Sequence, residues 1–390
     1  MKKTLYHANL ILKALGYRLV TKLTPKDNSL WLFGAWKGST YNDNSKYLFE
    51  YVVNNCQDIN AIWITRSQDV YDHIKNLGYP VELYPSHKSK WLISRAKYLF
   101  QTEGYKDTGN LPVGGSTVIQ LWHGSPSKAL NWFKGHGLLK ELFIRIENGD
   151  RRKFYWVSQS KFYTEFYKDV FGIPESHFIN TGSPRCDAIN LKQSPLIDSI
   201  KKKGGFSKVV LYLPTHRNWG KDFDNDFVVN GLKTVDLCLK GTGICFLFKP
   251  HPNEVELFAN SGEYTNVVIL DGKSQLHQDL YQYLFHCDAL VSDYSSVIYD
   301  YLICNKPIIL FTYDFDRYQR EDGGVPKDYI EKPIGPRVDN WESMISTLLS
   351  LLEHDVWVEK RESVQTYFNG YNSGHNSKSL VDYLRSNSIR

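Results

Sequence analysis

Short apolar runs, each ending in a loop that carries polar, Gly or Pro residues, recur along this chain with helix-length stretches between them. Ser29-Leu-Trp-Leu-Phe-Gly34, Ala61-Ile-Trp-Ile-Thr65 and Thr117-Val-Ile-Gln-Leu-Trp122 set the pattern in the first half. Lys208-Val-Val-Leu-Tyr-Leu213, Ile244-Cys-Phe-Leu-Phe-Lys249, Val267-Val-Ile-Leu270, Ala289-Leu-Val-Ser292 and Pro307-Ile-Ile-Leu-Phe311 repeat it in the second. A run that is apolar at successive positions must bury both of its faces, which is the habit of parallel strands covered by helices on either side. The alternation predicts an α/β chain with two doubly wound sheets. Composition places the boundary between Asn190 and Ser207, where Lys201-Lys-Lys-Gly-Gly205 follows an amphipathic stretch. The expected domains are therefore 1–190 and 191–390.

No run approaches the roughly 18 apolar residues of a membrane-spanning helix, and the first ten residues lack the compact apolar core of a signal peptide. A cytoplasmic location is the expectation. The six cysteines are scattered, with no Cys-x-x-Cys pair and no His at zinc-site spacing, so reduced thiols and no metal site are expected. Charge divides unevenly: residues 1–190 hold 25 Lys and Arg against 16 Asp and Glu, a net of +9, and residues 191–390 hold 22 against 26, a net of −4. A basic half suits an anionic partner such as a membrane surface, a phosphate-bearing polymer or nucleic acid. No nucleic-acid recognition motif accompanies it, so nucleic acid is not expected. Residues 1–23 carry Leu5, Ala8, Ile11, Leu12, Leu15, Leu19 and Val20 at helical spacing, with Lys2, Lys3, Lys13, Arg18 and Lys22 around them. Such a helix either lies on anionic lipid or packs on the N-terminal sheet.

Open parallel sheets bind ligands beyond the carboxyl ends of their strands. Those positions read Trp122-His123-Gly124-Ser125-Pro126, Pro214-Thr215-His216-Arg217, Pro250-His251-Pro252 and Asp293-Tyr294-Ser295-Ser296. At the last of these, the unpaired N–H groups of a helix start, with two hydroxyls beside them, suit a phosphate; capping by Ser295 is the plainer account. Histidines beside Gly or Pro, with Arg217 and Lys249 near in sequence, suit catalysis better than a scatter of structural side chains.

Taken together these segments resemble the glycerophosphotransferases of teichoic acid synthesis and their capsule-synthesis relatives. Leu121-Trp-His-Gly-Ser-Pro126 is similar to the family's Trp-His-Gly-Thr-Pro, Gly182-Ser-Pro-Arg-Cys-Asp187 to Gly-Tyr-Pro-Arg-Asn-Asp, and Leu211-Tyr-Leu-Pro-Thr-His-Arg217 to Tyr-Ala-Pro-Thr-Trp-Arg. Lys249-Pro-His-Pro252, Ser292-Asp-Tyr-Ser-Ser-Val297 and Pro307-Ile-Ile-Leu-Phe-Thr-Tyr-Asp314 follow in the family's order, and Trp36-Lys-Gly-Ser-Thr-Tyr-Asn-Asp-Asn-Ser45 resembles an early Gly-x-x-Tyr-x-Asp-Asn-Pro loop.

The resemblance implies a GT-B fold, two Rossmann-like domains facing across a cleft, with an N-terminal acceptor domain and a C-terminal domain for the nucleotide donor. It implies transfer of glycerol phosphate or another polyol phosphate from CDP-glycerol or CDP-ribitol to a hydroxyl of a lipid-linked saccharide or polyol-phosphate polymer, with CMP leaving. Teichoic acid or capsule synthesis at the inner face of the cytoplasmic membrane, by a peripherally bound enzyme with no cofactor and no obligatory metal, follows from the same likeness. His123 is the expected general base and His251 the phosphate partner, or the two with roles exchanged. Arg217, Ser295 and Ser296 are candidates for the pyrophosphate, Asp300 for a donor hydroxyl, and Lys249 and Arg185 for weaker phosphate contacts. Two departures from the family pattern stand out. His216 replaces the usual Trp, and Tyr318-Gln-Arg-Glu-Asp-Gly-Gly324 replaces a basic-Gly-Tyr stretch. A GT-B nucleotide-sugar glycosyltransferase is the alternative.

Overall fold

The computed structural model describes residues 2–124, 153–217, 225–251, 254–258, 263–270, 279–322 and 324–387. Among these, the strands form two separate, wholly parallel sheets. The first joins β1 (Asp27–Phe33), β2 (Asn60–Thr65), β3 (Val81–Leu83), β4 (Ala96–Gln101), β5 (Thr117–Gln120), β6 (Phe154–Val157) and β7 (Phe178–Ile179) in the order β3-β2-β1-β4-β5-β6-β7. The second joins β8 (Lys208–Leu213), β9 (Ile244–Phe248), β10 (Val267–Ile269), β11 (Ala289–Ser292), β12 (Ile308–Phe311) and β13 (Arg337–Val338) in the order β10-β9-β8-β11-β12-β13. Both orders reverse direction beside their first strand, between β1 and β4 and between β8 and β11. At such a reversal the flanking connections leave toward opposite faces and open a crevice at the strands' carboxyl ends.

Burial on both faces explains the sequence pattern. Every residue of β9, β11 and β12 is buried, as are five consecutive residues of β8. The first core packs Trp31, Phe33, Phe49, Trp63 and Phe100 together, with the Phe33 and Phe100 rings stacked at 4.5 Å. The second gathers Tyr212, Phe246, Phe248, Phe311 and Leu348 around Trp341. Helix Asn225–Cys238 reaches that core because it carries Gly231, where a Cβ would lie 1.9 Å from the Trp341 ring.

Two compact units correspond to the two sheets, but their limits differ from the expected 1–190 and 191–390. The chain leaves the first unit after Asp187 and returns to it at Gly370, so the second unit ends at Asn369. The returning helix Asn376–Ser386 buries Leu380, Val381 and Leu384 in the first unit's core. Its start is fixed there by the Asp187 carboxylate, which accepts from the backbone N–H groups of Asn376 and Ser377 at 2.6 and 2.8 Å. Amphipathic spacing shows that a helix covers a core, not which core it covers. The Lys201-to-Gly205 stretch is not a linker. It is the last turn of helix Pro195–Gly204, closed by Gly205 in the left-handed conformation at φ 67°.

Replacing Leu380 with Ala should destabilise the first unit by about 2–5 kcal/mol through lost burial and a residual cavity. Hydrogen exchange should then speed up at the amides of β1 and leave those of β8 unchanged; equal protection of both sheets in the variant would detach this helix from the first core.

Candidate active site

The first unit's chemistry is built on loops at the carboxyl ends of β1, β4 and β5. Asp107, 1% exposed, is their common anchor. Its Oδ1 accepts from Lys37 N at 2.7 Å, and its Oδ2 accepts from the N–H groups of Thr102 and Glu103 at 2.7 and 2.8 Å. Burial pushes the Asp107 carboxyl pKa up, and these backbone donors oppose the shift. The β4 loop so held turns the Thr102 carbonyl toward His123, whose Nδ1 lies 2.9 Å away. A carbonyl only accepts, so Nδ1 carries a proton, and in the neutral ring Nε2 keeps its lone pair. The ring is fixed on its faces as well, stacked on Trp122 at 4.5 Å and packed by Trp36 at 5.1 Å.

Trp122 has φ +57°, a left-handed backbone that costs a residue with a Cβ about 1–2 kcal/mol. Neighbours hold it there. Asn44 Nδ2 donates to the Trp122 carbonyl at 2.9 Å, and Asn44 Oδ1 accepts from Arg185 N at 3.0 Å. Arg185, 2% exposed, closes the network by an ion pair with Asp43 at 2.9 Å. It braces the loop rather than presenting its charge to a phosphate.

In the second unit, Arg217 has carboxylate partners that the sequence did not announce. It is fully buried at the reversal point, where Nη2 donates to Asp293 Oδ2 at 2.7 Å and Nε to Asp314 Oδ2 at 2.7 Å. The rings of Tyr294 and Tyr318, stacked on each other at 3.7 Å, lie 4.9 and 5.3 Å from the guanidinium. Burial pulls the guanidinium's pKa down, but the carboxylates of Asp293 and then Asp314 outweigh it and hold Arg217 charged. The fork that would clasp a pyrophosphate therefore clasps two carboxylates. Asp293 in turn accepts from Thr215 Oγ1 at 2.6 Å and from Tyr294 N at 2.6 Å, which fixes the ends of β8 and β11 to each other.

Asp300 is likewise enclosed. It is fully buried and accepts from the Tyr281 hydroxyl at 2.5 Å. The helix that follows Ser296 is short, Val297–Tyr301, and Ser296 makes no side-chain cap. Ser295 and Ser296 are half-exposed at its start, beyond the carboxyl end of β11. Lys249 and His251 follow β9, also half-exposed. Burial draws the Lys249 pKa down to about 8, with Asp279 opposing, so at neutral pH the amine still carries its proton. The strand order β9-β8-β11 brings Lys249, His251, Ser295 and Ser296 to one edge of the second sheet, with Arg217 buried beneath. Further along that edge, a cavity of about 720 Å³ is lined by Asp314, Arg317, Arg320 and Arg337, among others. Sequence reasoning missed Asp107 and Asp43. Of these only Asp43 lay inside a segment that had drawn notice, the Trp36–Ser45 loop.

Residues 15–386 match the family model described as CDP-Glycerol:Poly(glycerophosphate) glycerophosphotransferase. The chain is 26% identical over 390 aligned residues to the teichoic acid glycerol-phosphate transferase of Staphylococcus aureus (strain NCTC 8325 / PS 47), an alignment covering 94% of this chain and 95% of the relative. It is 25% identical to the teichoic acid poly(glycerol phosphate) polymerase of Staphylococcus epidermidis (strain RP62A), covering 97% of this chain but 54% of that longer protein. Among solved structures, the wall teichoic acid polymerase TagF superposes with a TM-score of 0.76 at 21% identity, covering 100% of this chain and 97% of that chain. At that identity the likeness is one of fold, and the fold is GT-B-like: two parallel-sheet α/β units.

Arg217→Ala leaves Asp293 and Asp314 buried without their guanidinium and should cost on the order of 3–5 kcal/mol. Arg217→Lys should recover little, because one ammonium cannot reproduce the fork. Thermal unfolding checks both, and a variant that melts like wild type while losing donor affinity would return Arg217 to the list of direct ligands.

Proposed function

The chain belongs to the CDP-Glycerol:Poly(glycerophosphate) glycerophosphotransferase family, and from that premise we propose that it transfers glycerol phosphate from CDP-glycerol to a hydroxyl of a lipid-linked anionic polymer or its saccharide primer, releasing CMP. The observation that carries the mechanism is the orientation of His123, whose Nδ1–H is held by the Thr102 carbonyl. His123 Nε2 takes the acceptor hydroxyl's proton as its oxygen forms the new bond to phosphorus and the bond to the CMP oxygen breaks. Phosphoryl transfer asks the protein mainly for positioning and charge. On the donor side, charge and hydrogen bonds fall to Lys249, His251 and the hydroxyls of Ser295 and Ser296. Arg217 and Asp300 act beneath them as supports.

The same reading places the protein at the inner face of the cytoplasmic membrane, held by helix Lys2–Leu23. Its two faces support both readings of the sequence at once. Ile11, Ala14 and Thr21 are buried, with Thr21 Oγ1 accepting from Gly114 N at 2.8 Å. The opposite arc is bare: Leu12, Leu15, Leu19, Val20 and Leu23 are 70, 46, 60, 65 and 75% exposed. Lys13 and Lys22 border it, the arrangement that suits apolar insertion among anionic headgroups. No described helix is long and apolar enough to cross a membrane.

CMP release, followed with CDP-glycerol, CDP-ribitol or a UDP-sugar, a primed lipid-acceptor analogue and EDTA, tests the transfer. His123→Ala and His251→Ala should fold normally and lose on the order of 10²- to 10⁴-fold in rate. Acceptor-dependent release of UDP in place of CMP would overturn the chemistry at phosphorus. For the membrane face, Leu12→Asp combined with Leu19→Asp should abolish co-sedimentation with phosphatidylglycerol vesicles and spare transfer to a soluble acceptor; undiminished sedimentation would refute the surface helix.

A further inference from the structure

His216, the residue that departs from the family's Trp, closes a small circuit with His251 and Glu254. Its ring stacks on that of His251, with centroids 4.6 Å apart and planes 27° from parallel. His216 Nδ1 lies 2.9 Å from Glu254 Oε1. An ionised carboxylate only accepts, so Nδ1 carries the proton and the ring is held in one plane. Glu254 is 5% exposed. Its backbone N–H returns to the starting point, donating to the His251 carbonyl at 2.8 Å. The main chain of His251 is thus pinned through Glu254, and its ring lies against a plate that Glu254 also orients.

We propose that His216 is a positioning residue for His251: Glu254 locks the His216 ring, and that ring sets the plane in which the His251 imidazole meets the transferring phosphate. The inference rests on the reading of His251 as a phosphate partner. It needs a flat ring at 216 and a group that keeps it still, and it needs no proton transfer by His216. Small misplacement of a catalytic group slows chemistry more than it weakens binding.

The test uses the full chain, with His251 ring C–H signals assigned in the NMR spectrum by their loss in His251→Ala. His216→Ala should shift those signals as the stacked ring is removed, lower kcat about tenfold and leave KM for CDP-glycerol within about twofold. His216→Phe combined with Glu254→Gln, which restores a ring without burying a lone carboxylate but leaves it no donor for the lock, should return the His251 signals part of the way to their wild-type positions and recover part of kcat. Unmoved His251 signals in a folded His216→Ala protein would overturn the proposal. So would a His216→Phe/Glu254→Gln protein as slow as His216→Ala and with the same His251 signals, since a ring at 216 would then set nothing. Wild-type turnover in His251→Ala would fail differently: it would remove His251 from the reaction, while the ring signals would still report whether His216 holds it.

Discussion

Strands buried on both faces leave no place inside a sheet for a charged or hydrogen-bonding side chain, so polar groups collect where the strands end. In each unit of this protein, that constraint creates a dense rim of loops at the carboxyl edge, and the loops must satisfy one another before they can serve a substrate. Two buried groups of opposite sign do most of this. In the first unit a carboxylate, Asp107, gathers backbone N–H groups from two loops and so fixes the carbonyl that holds His123. In the second a guanidinium, Arg217, gathers two carboxylates from two loops and so fixes the platform carrying Ser295 and Ser296. Neither group touches the reacting atoms in the mechanism proposed. Both decide where those atoms' partners stand.

The two anchors differ in how they withstand change. Asp107 is held by several backbone donors, each of which is also constrained by its own loop. Arg217 is one cation between two buried acids, and its removal exposes the cost of both at once. Lys249 shows the reverse case, a cation whose pKa burial draws down while Asp279 opposes the shift.

Fold class was legible because buried parallel strands leave a continuous apolar trace; β1, β2, β5 and the second unit's β8 to β12 stand where the runs predicted them. Of the strands that escaped notice, β3, β7 and β13 are two or three residues long, too short to carry a period, and β4 and β6, of six and four residues, escaped as well. The strand-end positions of the histidines were legible for a related reason: they stand beside Gly or Pro directly after apolar runs. The partners of Arg217 and Asp300 were not legible, because sequence gives the type of a group and its place along the chain, but not what lies opposite. Asp293 and Asp314 stand 76 and 97 residues from Arg217, and no local pattern announces that they will converge on it. Glu254 escaped for the same reason, its partner His216 being supplied by the neighbouring strand.

The return of the chain to its first unit reverses the usual order of assembly. Domains ordinarily fold as they emerge during synthesis, the N-terminal one first. Here the residues that complete the first core, Leu380, Val381 and Leu384, are made after the whole of the second unit. The nascent chain thus carries a first core that lacks its last three apolar side chains through the entire synthesis of its neighbour. The unit that begins first is finished last, and its exposed face is the one that a chaperone, or a misfolding partner, meets in the interval.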